Sequence, residues 1–345
     1  MTSFAQKVIA WQGKHGRHHL PWQHARSPYS VWLSEVMLQQ TQVTTVLHFY
    51  PKFLAKFPTV EALASAPLDD VLALWSGMGY YTRARNLHRA ANQVMADFGG
   101  EFPKTAEALE QLAGVGRSTA AAIAAFCYGE RVAILDGNVK RVLARVLAFG
   151  GDLAKASEVN ALWDKATQLL PSTNLKTAMP AYTQALMDMG ATLCHAKSPN
   201  CISCPVAMTC EANIHMACEA YPVKTRKIKR STESIWLLHA TRPNGEVLLQ
   251  QRPMDASSKI WAGLYSLPPF ESEAAIMAAL PESIHPKLIF APVLKHVLTH
   301  KDLWLHTVHL QASTRIKLTD LGSWYARDKA LQLGLPAPIR KIISL

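Results

Sequence analysis

Cys194, Cys201, Cys204 and Cys210 form a C-x6-C-x2-C-x5-C run inside a basic, proline-containing segment. Four thiolates on so short a loop can wrap a 4Fe-4S cluster or a tetrahedral zinc ion, and the spacing favours the cluster. Two local disulfides are the alternative, but they need an oxidising compartment. The first thirty residues hold no long apolar stretch and read as a polar, His-rich helix and loop, so a cytoplasmic protein is expected. Cys127, in an alanine-rich run, and Cys218 have no partner at ligand spacing and read as bystander thiols.

Two carboxylates stand out for a different reason. On a helix, Glu35, Gln39 and Gln42 fall at i, i+4 and i+7, a narrow polar stripe on an otherwise apolar cylinder. Such a glutamate is either the wet side of an amphipathic helix or the lining of a pocket. In a pocket, Trp32 and Leu38 would desolvate it, raise its pKa and let it hold a proton near neutral pH. Asp136 emerges from the apolar Ile134-Leu135 directly before a helix whose apolar face is Val139, Val142, Leu143, Val146 and Leu147. Asp136 or Asn138 can cap that helix, or can set a charge at a site.

The elements that must position these groups are helical. Residues 109–120 read as a short helix, a turn at Gly114-Val115-Gly116 and an alanine-rich second helix beginning near Ser118. Two glycines let backbone approach a ligand closely, and the free N–H groups of the turn can hold a phosphate; a plain helix-helix turn is the alternative. A second turn, Gly77 to Arg85, sets Tyr80, Tyr81, Arg83 and Arg85 beside glycines, as expected where a ring wedges between bases while cations hold the strand.

The bulk numbers agree with two domains: 345 residues, 49% hydrophobic, with no run long enough to cross a bilayer. The formal charge of +11 points to a polyanion, and it is concentrated in residues 1–230, which carry 24 Lys+Arg against 16 Asp+Glu. The expected division is an all-α domain over 1–223 containing the cysteine loop (194–210), a basic linker over 224–234, and an α+β domain over 235–345. In the last, the apolar period changes from 3.6 to 2: residues 235–240 and 247–251 flank a Pro243-Asn244-Gly245 turn, and 303–310 alternate like a strand.

Hairpin, aspartate and four-cysteine loop together resemble the endonuclease III superfamily of helix-hairpin-helix base-excision glycosylases. Within it, WLSEVMLQQTQ (32–42), GMGYYTRARNL (77–87) and LDGNVKRV (135–142) are similar to the adenine DNA glycosylases, and the likeness runs through nearly the whole chain. Lyases of the superfamily carry a Schiff-base lysine two residues after the last hairpin glycine. Here that position is Ser118, so strand cleavage should be weak or absent.

The resemblance implies removal of adenine mispaired with 8-oxoguanine or guanine in duplex DNA, by a monomeric enzyme carrying a 4Fe-4S cluster. The base is flipped out. Glu35 protonates N7 and can then activate water, Asp136 stabilises an oxocarbenium-like sugar by charge or by a transient bond, and Asn138 orients sugar or phosphate. Trp22, Gln23, Leu38 and Gln184 would line the adenine pocket, and Gln40 and Tyr80 would fill the gap beside the lesion. Gln39, Arg83, Gly114, Val115, Gly116, Ser118, Lys140 and Lys197 complete the implied DNA surface. Ala113 replaces the proline common at the hairpin.

The C-terminal part resembles the Nudix-like domain of the same enzymes. After Gly263-Leu264-Tyr265 only Glu271 and Glu273 come before an alanine-rich run, too few for the glutamate-dense helix of pyrophosphate hydrolysis, so the fold is expected without that catalysis. Leu298-Thr299-His300 aligns with the lesion-reading loop, often Phe-Ser-His; a hydroxyl is kept and a stacking ring is lost. A solvated hairpin end is the alternative. Three rival readings are weighed: a glycosylase/lyase, a non-catalytic DNA-binding or electron-transfer protein, and a nucleotide hydrolase.

Overall fold

The computed structural model describes residues 3–24, 26–225, 229–254, 260–314 and 316–344. Of the expected linker, Arg226, Lys227 and Ile228 lie outside the described residues. The chain first builds helices: α1 (Phe4–His15), α2 (Pro28–Leu38), α3 (Val43–Lys56), α4 (Val60–Ser65), α5 (Leu68–Leu74), α6 (Thr82–Phe98), α7 (Ala106–Leu109), α8 (Arg117–Tyr128), α9 (Gly137–Val146), α10 (Ala156–Gln168), α11 (Leu175–Thr192) and α12 (Glu211–Ile214). Then come β1 (Ser231–Thr241), β2 (Val247–Gln251), β3 (Tyr265–Ser266), β4 (Pro269–Phe270), β5 (Ile289–Phe290), β6 (Leu294–Val297), β7 (Lys301–Gln311) and β8 (Ser323–Tyr325). Helices α13 (Glu273–Ala279), α14 (Arg327–Ala330) and α15 (Ala337–Ser344) accompany them.

These elements form two compact units, Met1–Ser65 with Asn86–Lys227, and Ala66–Arg85 with Ile228–Leu345. Helical periodicity gives no hint that α5 and the Gly77–Tyr81 turn belong with the strands. Packing decides it: the Ser76 and Tyr81 hydroxyls donate to Leu335 O (2.7 and 2.9 Å), Arg340 donates to Ser76 Oγ (3.0 Å), and Gln251 Nε2 donates to Asp69 Oδ1 (3.1 Å).

In the first unit, α2 starts where Ser27 and Ser30 cap each other, with Pro28 in the first turn. Eight of the eleven α2 residues are buried, and the half-buried Glu35 lines an internal cavity rather than a wet helix face. The helix stops at Leu38, and Gln42 already precedes α3, so the expected Glu35-Gln39-Gln42 stripe does not extend along one helix. Asp136 caps α9, its Oδ1 accepting from the N–H groups of Asn138 (2.7 Å) and Val139 (2.8 Å). A cap of this kind contributes about 1 kcal/mol. Helices α9 and α11 come close because Gly190 lacks a side chain: a Cβ there would meet Asn138 Cβ at 2.8 Å.

In the second unit, β1 lies in the middle of a mixed sheet of order β3-β2-β1-β7-β5. It is antiparallel to β2, as the turn residues imply, but parallel to the distant β7, with Ile235 opposite Leu305 and Leu237 opposite Thr307. The period of two serves both faces: Ile235, Leu237 and Leu305 pack with Ile339 and Ile342 of α15, while Leu238, Ala240 and Val308 pack with Ile276 of α13. β1 opens at Ser231, four residues before the expected start of the domain.

Candidate active site and cysteine loop

Glu35 and Asp136 open onto one cavity of about 170 Å³ in the first unit, together with Asn138, Trp22, Leu38 and Gln184. Burial lifts the Glu35 carboxyl from its ordinary 4.5 to about 8, the Asp136 charge adds to the rise, and the Arg26 guanidinium opposes it. The apolar walls include Leu20, Trp22, Val31, Leu38 and Phe126. Trp32, expected to desolvate Glu35, is not among the lining residues; it is buried against Tyr29 and Phe102. Gln23 is also absent from the lining, and its Nε2 is buried with no hydrogen-bond partner among the described residues. It stands in a short turn (Pro21–Gln23) where the neighbouring Trp22 supplies the cavity wall.

Sequence reasoning missed a polar relay on the same wall. Asp188, fully buried on α11, accepts from Arg17 Nε (2.8 Å) and from Gln184 Nε2 (3.1 Å). Because a carboxylate can only accept, it fixes which end of the Gln184 amide points at it. Gln184 Oε1 in turn accepts from Arg26 Nη2 (3.3 Å), whose guanidinium lies 4.5 Å from the centre of the Phe126 ring. The signal was available as Gln184 and Asp188 at i, i+4 on an apolar helix.

The hairpin takes the expected form. Gly114 has φ +74°, and a Cβ there would stand 2.6 Å from Asn86 Cβ, so this position requires glycine. Gly116 caps α8 in extended conformation and Val115 is buried. Ala113, where proline is common, donates its N–H to Gln93 Oε1 (2.7 Å), a bond proline cannot make. The Ser118 hydroxyl accepts from Leu135 N (3.0 Å) and so braces the strand-like segment that delivers Asp136. Gln39 Nε2 donates to Thr119 Oγ1 (3.3 Å), whereas Gln40 is exposed with φ +55°. Lys140 is half-buried and Lys197 is exposed.

All four predicted ligands, Cys194, Cys201, Cys204 and Cys210, line one cavity with apolar neighbours such as Val142, Val146, Leu193 and Val206. All six cysteines are free thiols. Cys218 is not a bystander: it lines the same cavity, its Sγ 3.8 Å from Cys201 Sγ. Arg145, 1% exposed, donates to Cys194 Sγ (3.4 Å), His195 O (2.5 Å), Ala196 O (2.9 Å) and Tyr221 O (3.1 Å). Arg141 donates to Gly190 O, Cys194 O and Asn138 Oδ1. Helix α9 therefore carries the Asp136 cap at one end and the braces of the cysteine loop along its length.

In the second unit, Leu298, Thr299 and His300 form the turn between β6 and β7. The Thr299 and Tyr80 hydroxyls hydrogen-bond to each other, and both residues line a cavity of about 450 Å³ with Arg85, Trp261 and His296. Arg230, from the expected linker, donates to Leu298 O and Thr299 O (3.0 Å each) and so holds the turn. Leu298 packs on the sheet core. Tyr80 is 43% exposed with φ +49°, an unfavourable backbone held by its surroundings. Arg83, expected on DNA, is instead buried: its guanidinium faces the Trp75 and Tyr80 rings and donates to Gly79 O (3.3 Å), which braces the turn from inside.

Comparison with known proteins places this geometry. Residues 33–168 match the HhH-GPD superfamily base excision DNA repair protein model, and residues 236–345 match the NUDIX domain model. An adenine DNA glycosylase of Buchnera aphidicola subsp. Baizongia pistaciae is 33% identical over 99% of this chain and 96% of its own length. The Homo sapiens adenine DNA glycosylase is 43% identical over 61% of this chain and 40% of its own. Among solved structures, a thermostable thymine-DNA glycosylase superposes with TM-score 0.54 at 27% identity, covering 61% of this chain and 95% of that one. An endonuclease III–DNA complex shares the fold, with TM-score 0.51 at 21% identity over 61% of this chain and 94% of the other. The chain belongs to the adenine DNA glycosylase family, helix-hairpin-helix base-excision enzymes that cleave an N-glycosidic bond.

Proposed function

We propose that this chain is a monofunctional, monomeric iron-sulfur glycosylase that flips adenine out of A:8-oxoguanine and A:G mispairs in duplex DNA and removes it by hydrolysis. The observation that carries the reading is one cavity lined by a proton-holding acid, Glu35, and by Asp136. With its pKa lifted to about 8, the Glu35 carboxyl is protonated at neutral pH and can donate to the purine, making the base a neutral leaving group. Asp136 is tied through Oδ1 to the N-terminus of α9, which fixes where its charge meets a developing cationic sugar. Gln184, oriented by Asp188, offers Oε1 as an acceptor suited to an exocyclic amine such as that of adenine.

Ser118 supports hydrolysis without lyase chemistry, because its hydroxyl is engaged with Leu135 N and supplies no amine. The thiols of Cys194, Cys201, Cys204 and Cys210 fit a soft metal cluster: they line an apolar cavity where Arg145 can offset thiolate charge. A 4Fe-4S cluster there would cross-link the loop that carries Lys197. In the second unit, the Thr299 hydroxyl paired with Tyr80 supports reading of the base opposite adenine.

Single-turnover cleavage of duplexes with adenine opposite 8-oxoguanine, guanine or thymine, run with borohydride, tests the reading. Free adenine should be released fastest opposite 8-oxoguanine, with no trapped covalent adduct. A strong borohydride adduct, or equal rates opposite all three bases, would overturn it.

A further inference from the structure

The cavity bounded by the cysteine loop has five thiols where a four-ligand cluster uses four. Building on the cluster reading above, we propose that Cys218 is a reserve ligand which addresses the same cluster corner as Cys201 and can replace it.

The geometry of the pair carries the argument. Cys201 and Cys218 are seventeen residues apart in sequence, yet their Sγ atoms are 3.8 Å apart on the wall of one cavity. Thiolates that share a tetrahedral metal with bonds of about 2.3 Å stand roughly 3.8 Å apart. Thiolates on different corners of a cubane diverge from separate irons and stand farther from each other. Two thiols in contact are too close to ligate separate irons at the same time, so only one of them would complete the set with Cys194, Cys204 and Cys210.

The placement of Cys218 is built into the loop. It opens a short turn, Cys218–Ala220, next to α12. The following residue, Glu219, accepts from Ser198 N (2.8 Å), and Tyr221 O accepts from Arg145, the guanidinium that also holds the Cys194 end of the loop. The same buried arginine thus fixes both segments that bring thiols to the cavity.

The test is iron and acid-labile sulfide per chain, with charge-transfer absorbance, on anaerobically purified full-length protein. Wild type and Cys218→Ser should each hold about four irons, Cys201→Ser at least about half of that, and Cys204→Ser or the Cys201→Ser/Cys218→Ser double variant less than about a tenth. Alkylation followed by mass spectrometry gives a readout independent of yield and folding losses: Cys218 should be labelled in the wild-type holoprotein and protected in iron-loaded Cys201→Ser. If Cys201→Ser loses iron as completely as Cys204→Ser, or if Cys218 is labelled equally in both proteins, the reserve role is wrong. Wild-type protein holding zinc or no metal would instead remove the cluster reading itself, and the reserve role with it.

Discussion

The Glu35 cavity of the first unit and the Thr299 cavity of the second are built by opposite strategies. The cavity of the first unit takes its chemistry from burial: apolar walls and a neighbouring carboxylate hold a proton on Glu35. That of the second unit offers hydroxyl and ring groups beside the Arg85 guanidinium, with Thr299 bonded to a strained, half-exposed Tyr80. Under the proposed function, the first would serve a reaction that moves a proton, whereas the second would read a hydrogen-bonding edge. Perturbing one should change rate and pH profile, and perturbing the other should change selectivity.

The largest effect expected is at Glu35. Glu35→Gln should lower single-turnover adenine release by about 10³-fold or more while duplex affinity in filter binding stays within about threefold. An unchanged release rate would show that the buried acid is not the proton donor. Next comes pH. The carboxyl must be protonated to donate and its pKa is about 8, so release should fall about tenfold per unit above that pH. Thr299→Ala should leave this alkaline limb where it is; a shift would mean that the two cavities are not chemically separate.

Gly114→Ala forces a side chain onto Asn86 at a left-handed backbone. Affinity for duplex should drop about tenfold for matched and mispaired DNA alike, roughly 1.4 kcal/mol. Thr299→Ala and Tyr80→Phe each remove one hydrogen-bonding hydroxyl from the second cavity. The ratio of release rates opposite 8-oxoguanine and guanine should fall about fivefold, roughly 1 kcal/mol, and an unchanged ratio would leave the turn as a surface hairpin end.

The last effect is on stability. Between the unfolded carboxyl's ordinary 4.5 and the folded value of about 8, the folded state keeps a proton that the unfolded state has released. Stability is therefore fully present below that window and declines as pH rises through it. Glu35→Gln removes the decline, so the variant should melt a few degrees above wild type at pH 8 and close to it at pH 4, as calorimetry can show.

How far these features were legible depends on the residue. The hairpin could be read because Gly114 and Gly116 impose a local turn. That four cysteines converge on one cavity could be anticipated because their spacing on a short loop is a local property. At Asp136 the two sequence readings turn out to be compatible, since Oδ1 caps α9 while the residue lines the cavity. Trp32, Gln23, Arg83 and Cys218 stand elsewhere than the sequence suggested for one shared reason: periodicity and spacing give a residue's neighbours in the chain, not the elements that pack across from it. Arg83 reads as a free cation until the Gly77–Tyr81 turn closes over it. Cys218 reads as unpartnered until α12 brings it back to Cys201.

The amino-acid sequence alone indicated the family, singled out Glu35 and Asp136 and the cysteine run, and marked the change from helices to strands, because each is written in short-range order: a motif, a turn, a period. Tertiary structure alone decided that residues 66–85 join the strand-bearing unit, that Thr299 meets Tyr80, that Asp188 orients Gln184 and that Glu35 keeps its proton. Those outcomes depend on which surfaces exclude water together, and desolvation is a property of the assembled core rather than of any segment of chain.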